Sequence, residues 1–535
     1  ANGNVAVLQH SGSVNVKQFG AHSIDEVGFE DYDSTLAISY ALARNGVIEL
    51  SVGKSFKCIG LTRSGKTVIY GQGATLFSEI DTSLGGQTSK NIMTLTGNDI
   101  ELSDLTFDGK YVSGSSAEAA NAESLLHIYS SSRIKLKNIR AKNHTSNWTP
   151  AGLPSADDRF NDPSLDTFHV VYINDCTDVK IADYYQTNVR IEGILISESS
   201  GIIANNFYIS ESDDIWTGLH IIGCDDVALE NIDIDCGAVT SSGSNVNFIA
   251  VHDFTCRNIK ARNKSGFDLS NELTVTLGRS ARDTSNGSFD DCYFHGSHGV
   301  YCYPSFTATG NTNIAFNNCT FIGSGQVVSR PALRFDKGSA IRLNNCTLSS
   351  THVNLDDRAA LDMQYLDDIS LTGCTISGGI SIIHPSKSSG NLSLLNCEIT
   401  GQGTAASLLR MQSAASLLGT LIINNCNMQG LTESIINGSN GGNIDDLIIT
   451  NSVFTAVAVN PRHSMLAANS NVISGNIFTN VRGFQNQIAG SSIVMVNNIF
   501  NHNAAANVLF LVTNTNSIVY KNNVEVTSGN STVYV

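Results

Sequence analysis

A short phrase keeps returning in the C-terminal half of the chain: a polar residue, Cys, any residue, then an apolar one, closing a stretch of alternating apolar residues. It reads Asp291-Cys292-Tyr293-Phe294, Asn318-Cys319-Thr320-Phe321 and Asn345-Cys346-Thr347-Leu348. Further copies are Gly373-Cys374-Thr375-Ile376, Asn396-Cys397-Glu398-Ile399 and Asn425-Cys426-Asn427-Met428. Degenerate copies follow at Asn451-Ser452, Gly475-Asn476 and Asn497-Asn498. The steps between first residues are 27, 27, 28, 23, 29, 26, 24 and 22. A near-constant step of that size marks a solenoid, in which each repeat buries its apolar side only against its neighbours.

Within each step the grammar is strand, polar turn, strand. Ala332-Leu333-Arg334-Phe335 is followed by Ala340-Ile341-Arg342-Leu343, and Ala360-Leu361-Asp362-Met363 by Ile369-Ser370-Leu371. Period-two alternation argues half-buried strands, with Leu, Phe, Met and Ile inward and Arg, Asp and Gln outward. No helical period separates the strands, which excludes a leucine-rich repeat, and a propeller blade needs roughly 40–50 residues. The reading is an all-β, right-handed parallel β-helix. The phrase also runs backward, without Cys, through Asp104, Asn138, Asp183, Asn206, Asn231 and Asn258, and its last copy is Asn522. The steps there are 34, 45, 23, 25 and 27, then 33 to Asp291, so the interruptions fall in the N-terminal half.

The twelve Cys contain no C-x-x-C pair that would hold a metal. One per coil, they are expected to stack reduced, as small buried hydrophobes, in keeping with assembly in a reducing cytoplasm. No cofactor is expected. The net charge of −16 and the absence of a basic cluster argue against nucleic acid and anionic membrane surfaces as partners. No apolar run reaches eighteen residues, so no membrane insertion is expected. The first residue is Ala, not Met, from which a trimmed chain and a preceding region are expected.

Residues 1–46 differ from the coils: a strand at Val14-Asn15-Val16, then Asp33-Ser34 capping a helix that ends at Asn45-Gly46 and would close the first coil. Residues 47–440 read as the β-helix, with inserted loops at 111–125 and 143–167, and 441–535 as C-terminal coils where subunits could trimerise. The strand VNVKQFGA, the helix STLAISYALARNG and the IEL…FKCIGL segment, feeding Asn-rich coils, resemble the pectate-lyase-like right-handed β-helices, and among them the bacteriophage tailspikes and capsule depolymerases. That resemblance implies a homotrimer on a virion tail, joined through a preceding region and assembled in the host cytoplasm. It would bind and cleave a capsular polysaccharide or lipopolysaccharide O-antigen at the bacterial surface. A polysaccharide lyase of the same fold and a non-catalytic adhesin are the alternatives.

Glycoside hydrolysis needs two carboxylates, about 5–5.5 Å apart for retention and about 6.5–9.5 Å for inversion. Stacked outward residues repeat at about 4.7–4.9 Å, so adjacent coils can supply such a pair. The long excursion holds Trp148 with Asp157, Asp158, Asp162 and Asp166; two coils later comes Asp213-Asp214-Ile215-Trp216-Thr217-Gly218-Leu219-His220. These are the chain's two Trp residues, and a flat ring beside carboxylates suits the apolar face of a pyranose. Between them lies Arg190-Ile191-Glu192-Gly193. Glu192, Asp213 and Asp214 loosely resemble the acid motifs of polygalacturonases, although Glu replaces the first Asp and the Gly-His-Gly and Arg-Ile-Lys motifs are absent. His220 and His252 are expected outward, placed to contact sugar. The same acids would serve equally well as turn caps.

A rival set lies further along. Tyr301 and Tyr303, Arg334 and Asp336, Asp362 and Gln364, His384, then Arg410 and Gln412 are expected to form two outward columns. Asp336 beside Asp362 would be an acid pair. Tyr301 or His384 with Arg334 would suit proton abstraction beside a uronate. Arg334 with Asp362 would be an ordinary surface ion pair.

Overall fold

The computed structural model describes residues 12–78, 91–110, 124–145, 169–210, 215–235, 244–262, 267–270, 284–296, 300–303, 311–323, 331–335, 338–350, 360–364, 366–378, 380–384, 390–401, 408–411, 417–431, 434–437, 443–456, 464–465, 469–481, 484–486, 491–502, 508–512, 517–527 and 532–534. The chain divides into two compact units. One is Ala1–Phe254 with Ile259–Ala261 and Thr276–Arg279; the other is Thr255–Asn258 and Arg262–Val275 with Ser280–Val535.

Both units are built from parallel strand pairs that advance by one coil at a time, the right-handed parallel β-helix expected from the repeat. In the second unit three strand sets recur. Asn311–Asn317 pairs with Gly338–Asn344 and that with Leu366–Thr372; Thr320–Gly323 pairs with Thr347–Ser350; Leu333–Phe335 pairs with Leu361–Gln364. In register, like residues stack inside: Phe289 on Phe316 at 5.0 Å, and Phe454, Phe478 and Phe500 at 5.1 and 5.0 Å. The last of that row is followed by Glu525, which accepts from Tyr520 Oη at 2.8 Å, a polar pair in place of the next Phe.

The phrase marks a corner. Its first residue adopts left-handed φ in every copy, from 50° at Asn138 to 68° at Gly475. Only Gly, Asn and Asp take that region at low cost, which is why these three types alternate there. The corner amides are then joined from coil to coil: Asn318 Nδ2 donates to Asp291 Oδ1 (3.1 Å), Asn425 to Asn396 (2.8 Å), Asn231 to Asn206 (3.3 Å) and Asn206 to Asp183 (3.0 Å). Where such a row begins with Asp its first member can only accept, as in Asn138 to Asp104 and Asn391 to Asp368.

The residue after the corner corrects one expectation. The Cys are free and buried among the described residues, yet they are hydrogen-bonding groups rather than mere small hydrophobes. Cys319 Sγ donates to Phe289 O (3.3 Å) and lies 3.3 Å from Asn317 O, and Cys346 and Cys374 repeat the pattern. Where Cys gives way to Ser452, Asn476 and Asn498, the side chain takes over both roles. Ser452 Oγ accepts from Cys426 N (3.1 Å), Asn476 Oδ1 from Ser452 N (2.8 Å) and Asn498 Oδ1 from Asn476 N (3.0 Å). In the first unit the equivalent row runs through Ser131, Cys176, Ser199 and Cys224, each following a different left-handed corner.

At the N-terminus, Thr35–Asn45 is helical, with Ala37, Ile38, Ala41 and Leu42 buried. Asp33 Oδ1 accepts from Thr35 N (2.8 Å), while Ser34 Oγ turns to His22. Gly46, at φ 68°, ends the helix; a Cβ there would meet the Lys66 carbonyl at 2.7 Å.

Candidate functional site

The site is best followed on the first unit, where the strand Val171–Ser197 carries Arg190 and Glu192. Arg190 pairs with Thr145, and Glu192 with Thr217 of the strand Ile215–Ile222. The register slips between Ile215 and Thr217, so Trp216 is the extra residue of a bulge against Ile191 and Glu192. Bulges re-aim side chains and end regular pairing, and they gather beside active sites. Gly193 makes this tight approach possible: a Cβ there would fall on the carbonyl oxygen of Gly218 and within 2.7 Å of Gln186 Nε2. The sequence signal is the Gly in Glu-Gly-Ile-Leu, which only close backbone contact explains.

Four residues beyond Trp216 lies His220, opposite Leu195 on one side and Asn247 on the other. The alternation is as expected, with Leu219 and Ile221 inward, but His220 is not a surface residue: it is 3% exposed. Alternation reports which face of the strand a side chain takes, not whether that face is covered. Asn247 Nδ2 lies 2.8 Å from His220 Nε2, and the His169 ring is 5.8 Å from that of His220. His169 in turn is 5.9 Å from Tyr172, which stacks at 4.7 Å on His127. Asn91 Nδ2 approaches His127 Nδ1 at 3.4 Å. His252, by contrast, is half-buried.

Sequence reasoning missed this cluster, in which Thr94, His127 and Tyr172 follow one another in register and His169 lies between Tyr172 and His220 by ring distance. Within it, burial pushes the His127 imidazole down to about 4, so that ring is uncharged at neutral pH. An aromatic and hydrogen-bonding bed of this kind can orient hydroxyl-rich groups and strengthen nearby carboxylate electrostatics by excluding water. The signal available in the sequence is a His on or just before a strand in three coils, at His127, His169 and His220.

Trp148, Asp157, Asp158, Asp162, Asp166, Asp213 and Asp214 lie outside the described residues, as do Asp336 and Gln412. In the second unit, Asp268, Tyr301, Arg334, Asp362, Ser381 and Arg410 follow one another in register. Asp362 thus stands opposite Arg334, as the two expected columns have it; Asp336, its expected acid partner in the adjacent column, lies outside the described residues. His384 falls opposite Gln364 in the neighbouring column. Among the described residues no three His, Cys, Asp or Glu cluster as metal ligands.

The fold and the bulged outer face define a parallel β-helix with a polar bed on its first unit. No protein-family model matches the chain, and no curated protein matches its sequence. Solved structures share the fold at low identity. A surface adhesin of Streptococcus pneumoniae is 12% identical over 73% of this chain and 90% of its own, with a TM-score of 0.41. A family 28 exopolygalacturonase of Yersinia enterocolitica is 12% identical over 83% and 78%, with a TM-score of 0.30. Tailspike protein 3 of bacteriophage CBA120 is 10% identical over 94% of this chain, which spans 61% of the tailspike's length, with a TM-score of 0.27. Likeness at this level extends to the fold and carries no argument about function.

Proposed function

We propose that the chain binds a bacterial surface polysaccharide and hydrolyses it on the outer face of the first unit. The observation that carries this reading is the Trp216 bulge set against Glu192, on the strand that also carries the buried His220 with Asn247 opposite it. In this reading Glu192 is one of the two carboxyl groups. Asp213 or Asp214, immediately before Ile215, supplies the other, and Trp216 serves as a sugar platform. One carboxyl protonates the leaving oxygen while the other activates water or attacks the anomeric carbon. For that step the first must hold a proton and the second be ionised, two states that their different surroundings have to set apart.

A lyase reading rests on the second unit, where Tyr301 and Arg334 are direct neighbours in register. The two reactions leave different ends. Incubation with a panel of capsular and O-antigen polysaccharides, followed by product mass analysis, should show fragments that have gained one water per cut, with no rise in ultraviolet absorbance. Unsaturated, absorbing products would overturn hydrolysis in favour of elimination. Intact polymers across the panel would overturn cleavage altogether and leave the adhesin reading.

A further inference from the structure

On a different face of the first unit, an outward column runs Thr75, Thr106, Arg140, Tyr185, Tyr208 and Asp233 in parallel register. Tyr185 and Tyr208 are 37% and 45% exposed on adjacent coils, about 4.7–4.9 Å apart along the backbone. The Arg140 guanidinium lies 5.0 Å over the Tyr185 ring. Three other cations of these strands have carboxylate partners: Arg133 with Asp99 at 2.7 Å, Lys142 with Asp108 at 3.3 Å and Lys180 with Asp178 at 2.9 Å. Arg140 has none among the described residues, in a chain with 48 acidic and 32 basic residues. Its planar fork, held against a ring and not engaged by protein, matches a carboxylate in two parallel hydrogen bonds. The two tyrosines beside it offer flat apolar faces with polar tips at solvent level. An exposed aromatic pair with an uncommitted Arg is more than a sheet of this polarity needs for its own stability.

From this placement we propose that Arg140, Tyr185 and Tyr208 form a binding subsite for a carboxylate-bearing sugar of a polysaccharide chain. Arg140 takes the uronate carboxylate, and the tyrosines take the pyranose faces of successive residues along the coil axis. The proposal rests on the polysaccharide reading above and narrows its ligand to an acidic glycan. It involves none of the residues assigned there to cleavage.

Affinity electrophoresis in gels containing alginate, hyaluronate, carboxyl-reduced alginate or dextran tests it. The protein should be retarded by at least one of the two uronate polymers, less so as salt rises, and not by the reduced polymer or dextran. Arg140→Gln and the double variant Tyr185→Ala/Tyr208→Ala should each weaken retention about tenfold. Arg140→Lys, which keeps the charge but not the fork, should fall between them and the unaltered protein. Thermal melting of every variant separates lost binding from lost folding, because Arg140→Gln and Arg140→Lys remove no buried group. Equal retention by dextran, unchanged retention of Arg140→Gln, or no retention by either uronate polymer would overturn the subsite. The polysaccharide panel reads separately: if its members are cleaved while uronates are not retained, this subsite falls and the cleavage reading stands. If uronates are retained but nothing is cleaved, the reverse holds.

Discussion

At the scale of single residues, the row after the corner explains why Cys, Ser and Asn exchange so freely. Each offers one group that accepts from a backbone N–H of the preceding coil and donates to a carbonyl. Asn476 shows the full set: its Oδ1 accepts from Ser452 N, and its Nδ2 donates to Ile449 O (2.9 Å) and Asn498 Oδ1 (3.0 Å). Asn476 is fully buried, so an apolar replacement strands those partners. Asn476→Leu should lower stability by about 2–4 kcal/mol in chemical denaturation, whereas Asn476→Ser or Asn476→Cys should cost about 1 kcal/mol. Equal losses for Leu and Cys would show that the row is held by packing alone. A second single-residue effect concerns pH. His127 titrates near 4 in the folded chain because burial opposes its charge, against 6.5 when exposed. Between those values the unfolded chain binds more protons, so stability is full above about pH 6.5 and falls as pH drops toward 4. His127→Phe should flatten that part of the stability–pH curve, and an unaltered slope would assign it to other groups.

Between strands, the decisive feature is the bulge at Trp216. It exists because Gly193 lets the Gly218 carbonyl approach to where a Cβ would otherwise sit. Gly193→Ala should therefore push the strands apart at Glu192 and lower both melting temperature and any depolymerising activity, by about 1–3 kcal/mol of stability. Loss of activity with an unchanged melting temperature would point to chemistry at Gly193 rather than packing. The corner rows act between strands as well: their polarity, with Asn donating back to an Asp at the start, is written in the order of residue types along the chain.

For the molecule as a whole, the sequence discloses most of the coil and less of the site. The repeated phrase is visible because a left-handed corner admits few residue types, and the inward faces are visible because strands alternate. Leu333, Phe335, Ile341 and Leu343 are buried as that pattern requires. What alternation cannot convey is cover and register. His220 sits on the outward side and is nonetheless buried, because residues distant in sequence cover it. The bulge is hidden for the same reason. The interrupted steps between Asp104 and Asp291 are legible in the sequence, and the strands that carry Glu192 and Trp216 lie among them.

Whether chemistry belongs to that first unit is decided by one paired measurement. A capsular or O-antigen polysaccharide degraded by the unaltered protein is treated with Glu192→Gln and, separately, with Asp362→Asn, and the fall in viscosity is followed. Glu192→Gln should slow depolymerisation by at least about a hundredfold, the scale of a lost acid–base group, while Asp362→Asn proceeds at the original rate. Full activity in Glu192→Gln, or its loss in Asp362→Asn alone, would contradict the account.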